Sequence, residues 1–84
     1  MINKSDKLVK IIYNDFGRLL VEHLDPIEMH GTGFKSVFIY NKRHENGDIK
    51  AKWGYGRTIG DSLLNIIAKA DDDNLTEWIL DKVI

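Results

Sequence analysis

Residues 34 to 55 leave the chain little choice of local structure. Phe34 to Asn41 is rich in β-branched and aromatic side chains, and Asp48 to Tyr55 alternates strictly, which suits a pleated, half-buried surface. Between them Lys42 to Gly47 ends in Asn46-Gly47, a pair suited to tight turns because both residues tolerate left-handed backbone. The segment reads as a β-hairpin. In its second strand Ile49, Ala51, Trp53 and Tyr55 share one face, and Asp48, Lys50, Lys52 and Gly54 the other, so the first set is expected to face the core. The first strand is apolar on both faces, with Val37 and Ile39 on one and Phe34, Phe38 and Tyr40 beside Ser36 on the other.

The flanking segments read as helices. After Ser5, a suitable N-cap, Leu8, Ile12, Phe16 and Leu20 follow at successive i+4 steps, with Val9, Ile11 and Leu19 beside them, which forms an apolar helical stripe. Two endings are open. Gly17 can close a helix from Ser5 to Phe16 and leave Arg18 to Leu24 as a strand. Alternatively, one helix runs to Leu24 with Gly17 inside it at a cost of about 1 kcal/mol, and this longer helix is the expectation. Asp25-Pro26 stops either version. Ile27 to His30 reads as a short strand, and His30-Gly31-Thr32-Gly33 as a flexible turn.

Beyond the hairpin, Thr58 is the expected N-cap of a helix with Asp61 in the capping-box position. Ile59, Leu63, Ile66, Ile67 and Ala70 form its inward stripe. The run Asp71-Asp72-Asp73 breaks that pattern, and Asn74 is expected to cap a last helix that turns Leu75, Trp78, Ile79 and Val83 inward. The expected fold is therefore α+β: a small antiparallel sheet of two or three strands flanked by helices, in the order helix, optional strand, two strands, helix, helix. With 84 residues, residues 1 to 84 are expected to form a single domain.

Composition bounds the chemistry. The chain has no cysteine, which removes disulfides, thiolate metal sites and cysteine nucleophiles. No run approaches the roughly 18 apolar residues of a membrane span, and Met1 to Lys7 lacks the apolar stretch of a signal peptide, so a cytoplasmic location is expected. The net charge of −1 hides an asymmetry: residues 35 to 57 carry six Lys/Arg against two Asp/Glu, whereas residues 58 to 84 carry two against six. The hairpin is basic and the C-terminal part acidic.

The segment from Gly54 to Ala70, in which a strand ending in Gly54-Tyr55-Gly56-Arg57 leads through Thr58 into a leucine-rich helix, resembles the closing part of small phage-encoded ABA-sandwich proteins. That resemblance implies a fold and a phage or prophage origin and leaves biochemical function open. The order helix, strands, helix is also similar to double-stranded RNA-binding domains. Those place lysines at the start of the last helix to meet phosphates, whereas this chain has Thr58-Ile59-Gly60-Asp61-Ser62 there. Gly56-Arg57-Thr58 and Leu63-Leu64-Asn65 look like parts of HicB-type antitoxins, which often add a DNA-binding segment for which this chain has no room.

The remaining motifs read as structural. Gly54-x-Gly56-x-x-x-Gly60 has the spacing of neither a dinucleotide fingerprint nor a P-loop, and Asp61 opposes a phosphate in the first turn; strand exit and close helix–sheet packing account for it. His23, His30 and His44 lack metal-ligand spacing. The aspartate run lacks the alternation of a calcium loop and reads as a solvated break. Ser5 and Ser62 read as a helix cap and a helix surface, and they and Ser36 have no base beside them in any nucleophilic pattern. No enzyme, cofactor or metal is expected.

Function is then expected from binding. If helices cover one side of the sheet, the other side puts apolar and aromatic groups next to cations, as interface anchors and base-stacking platforms both do. The residues expected to carry this are Phe38, Tyr40, Lys42, Arg43, Lys50, Lys52 and Arg57. A phage or prophage accessory protein that binds a host protein is the leading reading. A second copy of the chain is an alternative occupant of the same face, and a small RNA- or single-stranded DNA-binding domain is the alternative function.

Overall fold

A computed structural model describes residues 8–24, 33–69 and 72–83. Four antiparallel strands pair in sequence order: β1 (Leu8–Tyr13), β2 (Gly17–Leu24), β3 (Gly33–Tyr40) and β4 (Ala51–Gly56). Helix α1 (Ile59–Lys69) follows, then α2 (Asp73–Trp78), which continues into a π-helical turn over Ile79–Val83. The α+β class stands, with four strands in place of two or three.

The expected first helix is instead the β1–β2 hairpin. Its turn explains why: Asn14 Oδ1 accepts from the backbone N–H groups of both Phe16 and Gly17 at 2.8 Å, and Asn14 N–H donates to the Gly17 carbonyl at 3.0 Å. A side chain that satisfies the backbone locally competes with helix formation. Gly17 begins a strand, paired with Tyr40, rather than sitting in or capping a helix, and the absence of a Cβ is what lets it lie against the Ile39 carbonyl. The i+4 spacing that suggested a helix is also a multiple of two, so it does not separate the two periods. Arg18 to Leu24 is strand, and among the described residues four strands precede the first helix, which differs from the helix, three strands, helix order of double-stranded RNA-binding domains. The strand expected at Ile27 to His30, the turn through Thr32 and the cap at Ser5 lie outside the described residues.

The expected hairpin is present, with its turn at Gly47 in the left-handed region at φ 90° and Asn46 Oδ1 accepting from Asp48 N–H at 3.0 Å. Its second strand faces the opposite way from the expectation. Gly54 is buried while Trp53 is 50% and Tyr55 41% exposed. The cause is the approach of α1. An added Cβ would come within 2.5 Å of the Ser62 carbonyl oxygen at Gly54, and within 2.5 Å of the Ser62 nitrogen at Gly56. Only the glycine face lets a helix backbone sit that close, so α1 takes it and leaves the apolar set outside. The structural reading of the glycine motif holds at Gly54 and Gly56 and does not extend to Gly60, where an added Cβ meets nothing nearer than 3.9 Å.

The helix starts at Thr58, whose Oγ1 accepts from Asp61 N–H at 3.0 Å. Leu63 and Ile66 are buried and Ile59 and Ile67 pack beside them. Ser62, expected on the helix surface, is fully buried. Its hydroxyl donates to the Ile59 carbonyl at 2.7 Å and meets Ser36 Oγ at 2.6 Å; with its own proton committed, Ser62 receives that of Ser36. The last helix is capped by Asp72 rather than Asn74: Asp72 Oδ1 accepts from Asn74 and Leu75 N–H at 3.0 and 3.3 Å. Leu75 and Ile79 complete the core with Leu19, Val21, Phe38, Leu63 and Ile66, and Trp78 and Val83 pack against it.

Candidate interface on the open face of the sheet

Strand alternation sends Leu19, Val21, Ser36 and Phe38 under the helices. The intervening residues form the opposite face. Register aligns them in cross-strand rows: Ile11, Leu20, Val37 and Trp53 in the middle, with Tyr13, Arg18, Ile39 and Ala51 on one side. Leu8, Glu22, Lys35 and Tyr55 make the third row, beyond a register shift between Leu8 and Lys10. Ile11 and Tyr13 on β1 and Trp53 and Tyr55 on β4 are between 40% and 70% exposed, and Leu20, Val37 and Ile39 between them are half-buried, so the apolar surface is open to solvent chiefly along its two edge strands. Its middle row is uncharged across the whole sheet.

The charges of this face lie at its two ends. Glu22 and Lys35 are directly opposed across β2 and β3, a pairing that steadies an antiparallel sheet. Lys35 Nζ also sits 5.6 Å from the centre of the Tyr55 ring, within cation–π reach. Arg18 is exposed in the row with Tyr13.

The residues expected to bind a partner do not form one surface. Phe38 is 1% exposed and belongs to the core, with its ring edge-on to Tyr40 at 4.9 Å and Trp78 at 5.6 Å; it cannot be a contact residue. The face that carries Phe38 is the one the helices cover, because Gly54 and Gly56 lie on it. Tyr40 is half-buried, its hydroxyl donating to Asp72 Oδ2 at 2.9 Å and its ring 4.7 Å from Lys50 Nζ. Tyr40, Lys42, Arg43 and Lys50 do come together, with Phe16 and Asp72, around a groove of about 450 Å³. Arg43 Nη1 there donates to the Gly47 carbonyl at 3.1 Å. Lys52 lies apart, beside Trp53 and Lys69, and Arg57 is exposed ahead of α1.

Ile11, Tyr13, Leu20, Val37 and Trp53 went unassigned as surface residues. A period-two reading of residues 8 to 13 and 17 to 24 would have found the first three; the outward turn of Trp53 needs the position of α1. Among the described residues, no three His, Cys, Asp or Glu side chains converge on a possible metal position, and no helix is long and apolar enough to cross a membrane. His44 lines the groove, and His23 stacks edge-on to Phe34 at 5.2 Å. Comparison with protein families, curated proteins and solved structures finds no match to this chain.

Proposed function

We propose that this protein is a non-enzymatic binding module that presents the open sheet face to another protein chain. The supporting observation is the row Ile11, Leu20, Val37 and Trp53, which crosses all four strands without a charge, exposed at Ile11 and Trp53 and half-buried at Leu20 and Val37. Exposed apolar surface that spans a whole sheet is costly to leave in water, and on soluble proteins such patches mark interaction sites. Trp53 and the tyrosines supply the large aromatic anchors that dominate interface energetics. In the phage or prophage setting that the resemblance implies, the module binds and modulates a host protein in the bacterial cytoplasm.

A nucleic-acid reading is favoured by one feature, Lys35 over the Tyr55 ring beside Trp53, an aromatic–cation pairing used for base stacking. It is the weaker reading. The central strands β2 and β3 offer Leu20, Val37 and Ile39 where a stacking platform needs rings, and Glu22 repels phosphates.

The test compares wild-type protein with Trp53→Ser and Val37→Asp, each immobilised and exposed to nuclease-treated host lysate. Loss of a specific bound protein in both variants, with unchanged far-UV circular dichroism, supports the reading. Retention by both variants rejects this face. Oligonucleotide binding that weakens with salt and with Lys35→Glu moves the assignment to nucleic acid.

A further inference from the structure

We infer that the occupant of the open face is a second copy of this chain, packed sheet to sheet about a two-fold axis that runs parallel to the strands between β2 and β3. The inference rests on reading this face as a protein-binding surface and names a second copy, in place of a host protein, as its occupant.

The face is complementary to itself under that operation. A two-fold axis in this position keeps each cross-strand row in place and reverses it, so β1 stacks on β4 of the partner copy and β2 on β3. In the middle row Leu20 then meets Val37, and the small end at Ile11 meets the large end at Trp53. In the next row Tyr13, 70% exposed and the most prominent side chain of the face, lands over Ala51, the smallest. The third row brings Glu22 of each copy over Lys35 of the other, and Leu8 over Tyr55. Size therefore matches in the three rows and charge matches at the Glu22–Lys35 end, while at the other end Arg18 of each copy lies over Ile39 of the other. Aligned sheets pack about 10 Å apart and inclined by about 30°, a spacing that side chains of these sizes fill. The helices stay outside, giving an assembly of four layers: helix, sheet, sheet, helix.

Other axes do worse. Turning the two-fold to run across the strands superposes each middle-row residue on itself, ring on ring at Trp53, and sets Lys35 over Ile39. That arrangement also sets Arg18 over Glu22, so each axis pairs one cation and leaves one over Ile39, and the difference lies in the centre, where this one stacks like on like.

A charge-swap experiment decides the matter. Sedimentation or light scattering from about 1 to 300 µM should show wild-type protein as a dimer at the upper end, and Glu22→Lys and Lys35→Glu should each weaken dimerisation by about tenfold or more, through like-charge contacts repeated twice per dimer. Both variants also lose the opposed pair within their own sheet, so their melts are recorded alongside. Mixing the two variants is the decisive step. One copy then carries two lysines and its partner two glutamates, and the mixture should form a heterodimer with close to wild-type affinity, although neither chain has regained its internal pair. A wild-type dimer whose variants are not rescued by mixing overturns the proposed axis. A wild-type protein that stays monomeric to about 300 µM overturns the dimer itself. In that case, loss of the host partner by Trp53→Ser still supports the face as a protein-binding surface, whereas retention removes both readings.

Discussion

Gly54 lies directly beneath Ser62, so close that a methyl group on its Cα would stand 2.5 Å from the Ser62 carbonyl oxygen. This contact between a strand and a helix backbone orients the whole sheet. It decides that Phe38 is core and Trp53 is surface, and so decides which side of the protein is available to a partner.

Gly54→Ala should therefore destabilise the protein by about 2 kcal/mol or more, since the clash is with backbone and cannot be relieved by a rotamer change. Gly60→Ala is the control. An added Cβ there meets nothing nearer than Thr58 Oγ1 at 3.9 Å, so urea midpoints should separate the two variants clearly.

The two aromatic positions make opposite predictions. Phe38→Ala should cost about 3–5 kcal/mol by emptying a fully buried site. Trp53→Ala should change folding stability by less than about 1 kcal/mol, as expected where surface is lost and no cavity forms. Equal losses in chemical denaturation would contradict the orientation of β4.

Ser36 and Ser62 form a buried relay that ends on the Ile59 carbonyl. Ser62→Ala strands the Ser36 hydroxyl and should cost about 1–3 kcal/mol, the range for a buried polar group left unpaired. Ser36→Ala removes only a donor to Ser62 and should cost less. In the double variant the losses should fall short of additive, because the group orphaned by the first change is gone.

Asp72 joins the last helix to the sheet, capping α2 while it accepts the Tyr40 hydroxyl. Asp72→Ala should cost about 2 kcal/mol, about 1 from the cap and about 1 from the lost hydrogen bond. Tyr40→Phe should lose only the second part. Hydrogen exchange over residues 73 to 83 should accelerate in the first variant and stay close to wild type in the second.

Much of the fold was legible in the residues alone because its signals are local. Asn46-Gly47 between two β-rich runs, Thr58 three residues before Asp61, and the apolar spacing of Leu63, Ile66, Leu75 and Ile79 each act within one turn or one helix face, and each is found where the sequence places it. The N-terminal hairpin was not legible in the same way. Residues 8 to 24 are apolar at positions that serve a helix or a strand equally, and the preference is decided by the Asn14 turn together with the pairing of β2 against β3, a contact outside the segment itself.

The candidate site was legible only as a condition: one face of Phe34 to Tyr40 would be left over once helices covered the other. The sequence by itself determined that an amphipathic helix and a doubly apolar hairpin must share a core, and that no cysteine chemistry takes part. Which face stays open was decided by tertiary structure. Alternation is symmetric between the two sides of a strand, and the symmetry is broken by a steric fact that exists only once the helix arrives: its backbone can approach Gly54 and Gly56, and it cannot approach Trp53 and Tyr55.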